Sequence, residues 1–205
     1  MNAIRLVLFD LSDVVCRFVP QRRLDAFVAA TGLAPDVIQQ TLWGSGFSGD
    51  CDDGRYAVLE MVAEINRRLE TSLTMSEIQR LWTTAFEPEM AVLAIAASVR
   101  KRYRTGLLSN NPPLLKTALP EWLPAIHQDF DPIIFSCEYG VRKPHAALFN
   151  AVRQQLGATA DDLLLIDDSP RNVEGAKTVG WRAIQFVTAG ELEPKLRDAG
   201  LFMRT

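Results

Sequence analysis

The chain has 205 residues, 48% of them hydrophobic, and a formal net charge of −3. This length and apolar content suit one sizeable core, or a core with a small second domain, and exclude a disordered or fibrous protein. The slight negative charge and the dispersed basic residues leave no basic surface for nucleic acid or an anionic membrane, so the expected partner is a small molecule.

The cysteines and the N-terminal residues indicate the cellular compartment in which the protein is expected. Cys16, Cys51 and Cys137 are far apart and lack metal-ligand spacing, which predicts reduced thiols instead of disulfides. No basic segment followed by a cleavable apolar one opens the chain, and no run approaches about 20 apolar residues. We therefore expect a cytoplasmic protein without a membrane partner, and the oligomeric state stays open.

The first predicted element is a buried parallel strand over residues 6–9 that stops at Asp10. An unbroken apolar run is typical of a strand covered on both faces. Open α/β sheets keep their ligand sites at the carboxyl ends of such strands, so Asp10 is the first candidate site residue.

Helical periodicity then continues to about residue 103, and its first part predicts a small bundle of four amphipathic helices inserted after the first strand. Thr74 and Glu77 have capping-box spacing at the start of the fourth helix. The step at residues 87–89 predicts the next helix, with proline in its first turn, and the return to the main domain. The predicted domains are residues 1–16 with 88–205, and an inserted bundle of residues 17–87. The apolar stripes are Leu24, Phe27 and Val28; Val37, Ile38 and Leu42; Val58, Met61, Val62, Ile65 and Leu69; and Ile78, Leu81, Trp82, Ala85 and Phe86.

A glycine-rich segment at residues 43–50 carries two large aromatics, Trp43 and Phe47. Glycines mark turns whatever the function, so two interpretations stay open. The segment is either a loop that faces substrate or a plain connection whose aromatics pack into the bundle.

Helices and strands alternate after Pro88, which predicts a doubly wound α/β fold with a parallel sheet. The later strands are predicted near residues 106–108, 133–135, 163–166 and 183–187. Helices are expected to end at Gly157 and Gly180, and a short polar helix is expected after Gly190.

Polar residues follow three of these later strands: Ser109 and Asn110 after the second, Lys143 after the third, and Asp167 with Asp168 after the fourth. Since the carboxyl ends of parallel strands lie along one edge, we expect these residues to meet Asp10 at a common site.

The order Asp, Ser, Lys, Asp-Asp at successive strand ends resembles the haloacid dehalogenase-like hydrolase superfamily. The four motifs match at Asp10, Ser109, Lys143 and the pair Asp167-Asp168, and the similarity extends from near residue 1 to about residue 187. The resemblance implies a Rossmann-like core and a mobile helical cap of the C1 type, and the chain looks similar to the sugar-phosphate phosphatase branch.

The residue types favour phosphoryl chemistry. A carboxylate can attack phosphorus and split hydrolysis into two displacements, but an anion attacks a phosphate dianion only where positive charge is supplied. Lys143 provides one cation, and clustered carboxylates form an oxygen-rich site suited to Mg²⁺.

The resemblance also implies individual roles. Asp10 would be the nucleophile and, with Asp168 and the backbone carbonyl of Ser12, a metal ligand, while Asp167 would act directly or through water. Ser109 and the amide of Asn110 would hold the phosphoryl oxygens beside Lys143. The implied activity is Mg²⁺-dependent hydrolysis of a small phosphorylated metabolite, such as a sugar phosphate, through an aspartyl-phosphate at Asp10.

One position departs from the pattern. Ser12 stands where such phosphatases carry a second aspartate, which protonates the leaving group and is worth about 10²–10⁴ in rate. Asp13 is either a substitute acid near the substrate or a local hydrogen-bonding residue. Three explanations remain: a leaving group that needs little protonation, as in an anomeric sugar phosphate or acyl phosphate; a 2-haloacid dehalogenase with Asp10 as nucleophile; or a catalytically weak module that binds a phospho-ligand or a protein.

Overall fold

A computed structural model describes residues 4–201. Its main sheet has five parallel strands in the order β5-β4-β1-β6-β7, and the predicted doubly wound α/β fold is confirmed. The strands of this sheet are β1 Leu6–Phe9, β4 Arg104–Ser109, β5 Ile133–Phe135, β6 Leu163–Asp167 and β7 Arg182–Gln185.

Helices cover both faces of the sheet, which explains the unbroken apolar run of β1. Val7 and Phe9 face one buried cluster, whereas Leu6 and Leu8 face the other. The first cluster includes side chains of α6, α7, α8 and α11, and the second includes side chains of α9 and α10. These helices are α6 Met90–Arg100, α7 Pro113–Trp122, α8 Pro124–Asp129, α9 Ala146–Gln155, α10 Pro170–Thr178 and α11 Ala189–Asp198.

A helical insertion (α1 to α5) lies between two short antiparallel strands, β2 Cys16–Phe18 and β3 Phe86–Pro88. The chain therefore enters and leaves the helical insertion at one place. The insertion contains α1 Pro20–Thr31, α2 Pro35–Gln39, a π-helical turn Gln40–Gly44, α3 Phe47–Asp52, α4 Val58–Leu69 and α5 Met75–Thr83.

The expectation that a helix begins around Pro88 is wrong. Pro88 pairs with Cys16 in the β2–β3 ribbon, and α6 begins only at Met90. Glu89 caps this helix by accepting a hydrogen bond from the N–H of Ala91, at 3.4 Å. A proline without an N–H is tolerated at the end of so short a two-stranded ribbon.

The glycine-rich segment at residues 43–50 is mostly helical instead of a loop, because it holds the end of the π-helical turn and most of α3. Its aromatics pack into the bundle. The ring centroid of Trp43 lies 6.2 Å from that of Trp82, and Phe47 lies 5.2 Å from Tyr56. The bundle thus has a fifth short helix that its periodicity did not predict.

Two smaller expectations are met. Thr74 and Glu77 form a capping box at the start of α5, with the N–H of Thr74 donating to Glu77 at 2.7 Å and the N–H of Glu77 donating to Thr74. The three cysteines are free thiols, and burial raises the pKa of each to about 12. Between residues 4 and 201, no helix combines the length and the apolar character needed to cross a bilayer.

Candidate active site

Three adjacent parallel strands bring polar side chains to one edge of the sheet. Asp10 directly follows β1, Ser109 is the last residue of β4, and Asp167 is the last residue of β6. Lys143 enters from the loop between β5 and α9. These strand ends lie at the same edge of the sheet, so the four residues form one site there. All four are buried, and the site therefore lies beneath the surface.

Three hydrogen-bond donors meet the same oxygen of Asp10. Its Oδ1 accepts from the N–H of Leu11 at 2.7 Å, from Oγ of Ser109 at 2.6 Å, and lies 3.1 Å from Nζ of Lys143. Asn111 donates through Nδ2 to Oγ of Ser109 at 2.9 Å. Since that serine oxygen already accepts a proton from Asn111, its own hydroxyl proton is directed to Asp10.

The ammonium of Lys143 is held by three acceptors. Besides Asp10, its Nζ contacts Oδ2 of Asp167 at 2.5 Å and donates to the carbonyl of Leu108 at 2.8 Å. Asn110 clamps the lysine backbone from both sides, since its Nδ2 donates to the carbonyl at 3.0 Å and its Oδ1 accepts from the N–H at 2.9 Å. Lys143 is only 3% exposed, so its charge is fixed and directed at the carboxylates.

The two aspartates after β6 have different surroundings. Asp167 is fully buried, and its Oδ1 accepts from the N–H of Ser169 at 3.0 Å and from Nδ2 of Asn172 at 2.9 Å. Both of its oxygens therefore have partners. Asp168 is half-buried and leaves its carboxylate freer to meet a ligand.

The site carries an excess of negative charge. Burial raises the pKa of Asp10 to about 6; Lys143 opposes this shift and Asp167 adds to it. Burial also raises the pKa of Asp168, with contributions from Asp167 and Asp13. Although burial alone would lower the pKa of Lys143, Asp10 and Asp167 raise it above its ordinary value. Three carboxylates around one ammonium leave a net negative charge, which a further cation would neutralise.

The geometry and the donor set fit a divalent ion. Oxygens of Asp10, Asp167 and Asp168 all lie within 4.8 Å of one another. Hard cations such as Mg²⁺ take oxygen ligands of this kind. The three donors on Asp10 share Oδ1, and among residues 4–201 no donor contacts Oδ2, so that oxygen is free to bind a cation or to attack.

The chain matches a known protein family over most of its length. The protein-family model described as haloacid dehalogenase-like hydrolase matches residues 4–180. The chain belongs to the haloacid dehalogenase-like hydrolases. The matched residues include β1, the helical insertion and the strands that carry Asp10, Ser109 and Asp167, so the resemblance inferred from the motifs is confirmed at the level of the family.

Two proteins of the comparison are similar to this chain over nearly its whole length. This hydrolase is 28% identical to Phosphatase MT3486 of Mycobacterium tuberculosis over 197 residues, which cover 92% of this chain and 90% of that protein. It is 26% identical to a predicted HAD-like family hydrolase of Porphyromonas gingivalis, with a TM-score of 0.78 and coverage of 98% and 99% of the two chains.

Two further structures share the fold at lower identity. A HAD family enzyme of Bacteroides thetaiotaomicron, in complex with magnesium and inorganic phosphate, is 21% identical with a TM-score of 0.72 over 92% of this chain and 96% of that one. The L-2-haloacid dehalogenase of Xanthobacter autotrophicus, with chloropropionic acid covalently bound, is 20% identical with a TM-score of 0.62 over 98% and 85%. Both likenesses concern the fold alone.

Ser12 and Asp13 lie in the tight loop between β1 and β2 of this haloacid dehalogenase-like hydrolase. Ser12 is half-buried, whereas Asp13 is exposed and has a left-handed backbone with φ of 57°. Oδ1 of Asp13 accepts a hydrogen bond from the N–H of Phe18 at 2.9 Å. That bond ties Asp13 to the entrance of the helical insertion, while its charge still reaches Asp168.

Two buried asparagines of the site were not among the predicted residues. Asn111 orients the hydroxyl of Ser109, and Asn172 of α10 holds Asp167. Both asparagines lie close in sequence to predicted site residues. A neutral amide next to a motif, however, does not by itself indicate a role in the site. Only the side-chain geometry distinguishes them from surface asparagines.

Proposed function

We propose that the chain is a Mg²⁺-dependent phosphomonoester hydrolase that acts on a small phosphorylated metabolite. One observation carries this proposal: the buried carboxylate of Asp10 contacts the ammonium of Lys143 and lies within a group of three acidic side chains. The full-length similarity to a mycobacterial phosphatase supports the same activity. A site with this charge distribution suits a dianionic phosphate accompanied by a divalent cation.

The proposed reaction has two displacements at Asp10. A carboxylate oxygen of Asp10 attacks phosphorus, the bond from phosphorus to the ester oxygen breaks, and the alcohol leaves with a proton taken from solvent or from the protein. Water then attacks the aspartyl-phosphate, which releases inorganic phosphate and restores the carboxylate. We propose that Lys143 and Ser109 exchange their contacts with Asp10 for the phosphoryl oxygens when substrate binds, and that with the backbone N–H of Asn110 they stabilise the charge that develops there.

The metal would be held by Asp10, Asp168 and the backbone carbonyl of Ser12. Both oxygens of Asp167 are engaged by Lys143, Ser169 and Asn172, so we propose that Asp167 acts through water. The bound ion would supply positive charge next to the phosphoryl group and fix its orientation.

The helical insertion is proposed to act as a cap domain of residues 17–87, with residues 1–16 and 88–205 as the core. The β2–β3 ribbon joins the two parts at a single place. A cavity of about 270 Å³ lies where α3 approaches the loop of Lys143, and its lining includes Asp53, Asn110 and Arg142. This polar cavity adjoins the loop of Lys143 and its lining does not include Asp10 or Ser109, so we propose that it takes the part of a small metabolite, such as a sugar phosphate, that is remote from the phosphoryl group. We also propose a cytoplasmic location, which three free thiols favour.

A metal-independent 2-haloacid dehalogenase is the second candidate, because the fold is shared with such an enzyme and because Ser12 removes an acid that halide release does not need. The acidic group of Asp10, Asp167 and Asp168 favours the phosphatase, since a dehalogenase has no use for a cation there. A binding module without catalysis is the third candidate, and the buried pair of Asp10 and Lys143 speaks against it.

A panel of phosphate esters and acyl phosphates, assayed with Mg²⁺ and with EDTA, tests the proposal. We expect phosphate release that depends on Mg²⁺ and that is fastest for anomeric sugar phosphates or acyl phosphates, whose leaving groups need little protonation. Chloride release from 2-chloropropionate in EDTA would instead establish the dehalogenase. Turnover of neither class, with phosphate still bound, would establish the binding module.

Restoring the missing acid gives a sharper test of the role of Ser12. We expect Ser12→Asp to speed the hydrolysis of esters with poor leaving groups by about 10–10²-fold, a part of the gain that general acid catalysis provides. Hydrolysis of p-nitrophenyl phosphate should change little, because its leaving group departs without a proton. The measurement is the rate of hydrolysis of matched alkyl and aryl phosphate esters. The control is Ser12→Asn, because asparagine has nearly the size of aspartate but no acidic group. An equal gain on both esters would contradict the assignment.

A further inference from the structure

Arg142, next to Lys143 in the chain, was not among the predicted site residues. Its backbone belongs to the loop of the main domain, where its carbonyl accepts from the N–H of His145 at 3.0 Å. Its side chain reaches the helical insertion instead. The Nε of Arg142 lies 2.7 Å from Oδ1 of Asp53, and Nη1 lies 4.0 Å from Oδ2 of Asp52.

The end of α3 is shaped to fit this loop. A Cβ on Gly49 would lie 3.3 Å from Nη1 of Arg142, so the guanidinium occupies the space that a side chain would take. A Cβ on Gly54 would lie 2.0 Å from the carbonyl oxygen of Cys137, which is too close for any other residue. Oγ of Ser136 donates to the carbonyl of Asp52 at 2.7 Å. The contact therefore combines close backbone packing, a hydrogen bond and an ion pair.

The ion pair is partly shielded from water. The side chains of Arg142 and Asp53 are 38% and 21% exposed. Asp52 is shielded to the same degree, and burial raises its pKa to about 7 while Arg142 and Arg23 oppose the shift. Arg23, itself buried in the insertion, donates through Nε to the carbonyl of Trp82 at 2.8 Å, so its position is fixed by α5 and not by substrate.

The loop of Lys143 is thus attached on two sides. Asn110 holds the backbone of Lys143 to the main domain, and Arg142 holds the insertion to the same loop. The cavity of about 270 Å³ lies between these attachments, with Asp53, Arg142 and Lys143 in its lining.

We infer that Arg142 is a positioning residue that fastens α3 of the helical insertion to the loop of Lys143 and so fixes the wall of the cavity that would take the part of the substrate remote from the phosphoryl group. The attachment is a property of the fold, whereas its effect on kinetics rests on the proposed phosphatase function. Its loss would leave the ammonium of Lys143 in place, since Asp10, Asp167 and Leu108 still hold it. The kinetic effect is therefore expected in KM and not in kcat.

Hydrogen exchange of the substrate-free protein tests the attachment directly. We expect amides in residues 47–54 to exchange about two- to fivefold faster in Arg142→Gln and in Asp53→Asn, as suits the loss of a partly exposed ion pair. The control is Arg104→Gln, which breaks an arginine–carboxylate pair of 2.8 Å with Asp131 at the opposite, amino end of the sheet. That control should leave residues 47–54 unchanged. Equal exchange in all variants would overturn the inference.

A charge swap separates positioning from a general structural effect. The double variant Arg142→Asp with Asp53→Arg should restore slow exchange of residues 47–54, which neither single swap would do. With the ester found in the activity panel, Arg142→Gln should raise KM by about two- to fivefold while kcat stays within about twofold. Failure of the swap to restore exchange, or a loss confined to kcat, would contradict the positioning role. The exchange result holds whether or not the enzyme proves to be a phosphatase.

Discussion

Replacing Lys143 with methionine is expected to destabilise the metal-free protein by about 3–5 kcal/mol near neutral pH, because it leaves buried carboxylates without their cation. The Nζ of Lys143 contacts both Asp10 and Asp167, and the lysine is almost fully buried. Methionine keeps the length and the apolar stem of the side chain. The loss would therefore be electrostatic and not a cavity effect.

The pH dependence of that loss follows from Asp10. Its pKa in the folded protein is about 6, above its ordinary value, so the fold favours the protonated form and this contribution to stability disappears as the pH rises through about 6. Since Lys143 lowers that pKa, its removal moves the window to higher pH. The penalty in Lys143→Met is thus expected to be full above the window and to fade on acidification, when the carboxyl becomes neutral.

Urea unfolding in EDTA at about pH 5 and about pH 7.5 measures both effects. The control is Lys195→Met, because Lys195 makes an ion pair with Glu191 at 3.2 Å on the surface. That variant should change the free energy of unfolding by less than about 1 kcal/mol at either pH. An equal loss in the two variants, or a Lys143→Met penalty that grows on acidification, would show that the ammonium does not compensate the buried carboxylates. Addition of Mg²⁺ is expected to restore part of the stability.

The main sheet could be predicted from the sequence because its signals are local. Each strand of the site is a short apolar run that stops at a polar residue, and in a parallel sheet those ends share one edge. Asp10, Ser109 and Asp167 therefore came together as expected from their places in the chain, with no need to know any side-chain conformation. The adjacency of β1 to both β4 and β6 completes the site.

What the sequence could not predict depends on contacts that no local pattern of residues indicates. The β2 and β3 strands have three residues each and pair across the whole insertion, so neither shows a periodicity of its own. Arg142 resembles an ordinary surface arginine until its partner Asp53, far earlier in the chain, is placed beside it. Asn111 and Asn172 are likewise recognised only by the atoms that they contact. A site residue could be predicted where the end of a strand places it, and could not be predicted where only a side-chain contact gives it a role.

The nucleophile assignment leads to the largest expected change in activity. Asp10→Asn should lower kcat by at least about 10³-fold for every ester that the wild type hydrolyses, because a neutral amide cannot form the aspartyl-phosphate. The substitution keeps the size of the side chain and an oxygen that accepts from Leu11 and Ser109, so the fold should persist. Removing the charge beside Asp167 and Asp168 should also weaken Mg²⁺ binding, which a metal titration would detect.

The measurement is phosphate release by both proteins under saturating Mg²⁺, with Asp161→Asn as the matched control. Asp161 is exposed and precedes β6, at the end of the sheet remote from the site, so its variant should retain full activity. A metal-dependent rate in Asp10→Asn that exceeds a thousandth of the wild-type rate would assign the nucleophile to another group. Since Asp10 is the one carboxylate of the acidic group that contacts both Ser109 and Lys143, such a result would leave water, activated at the metal site, as the attacking group.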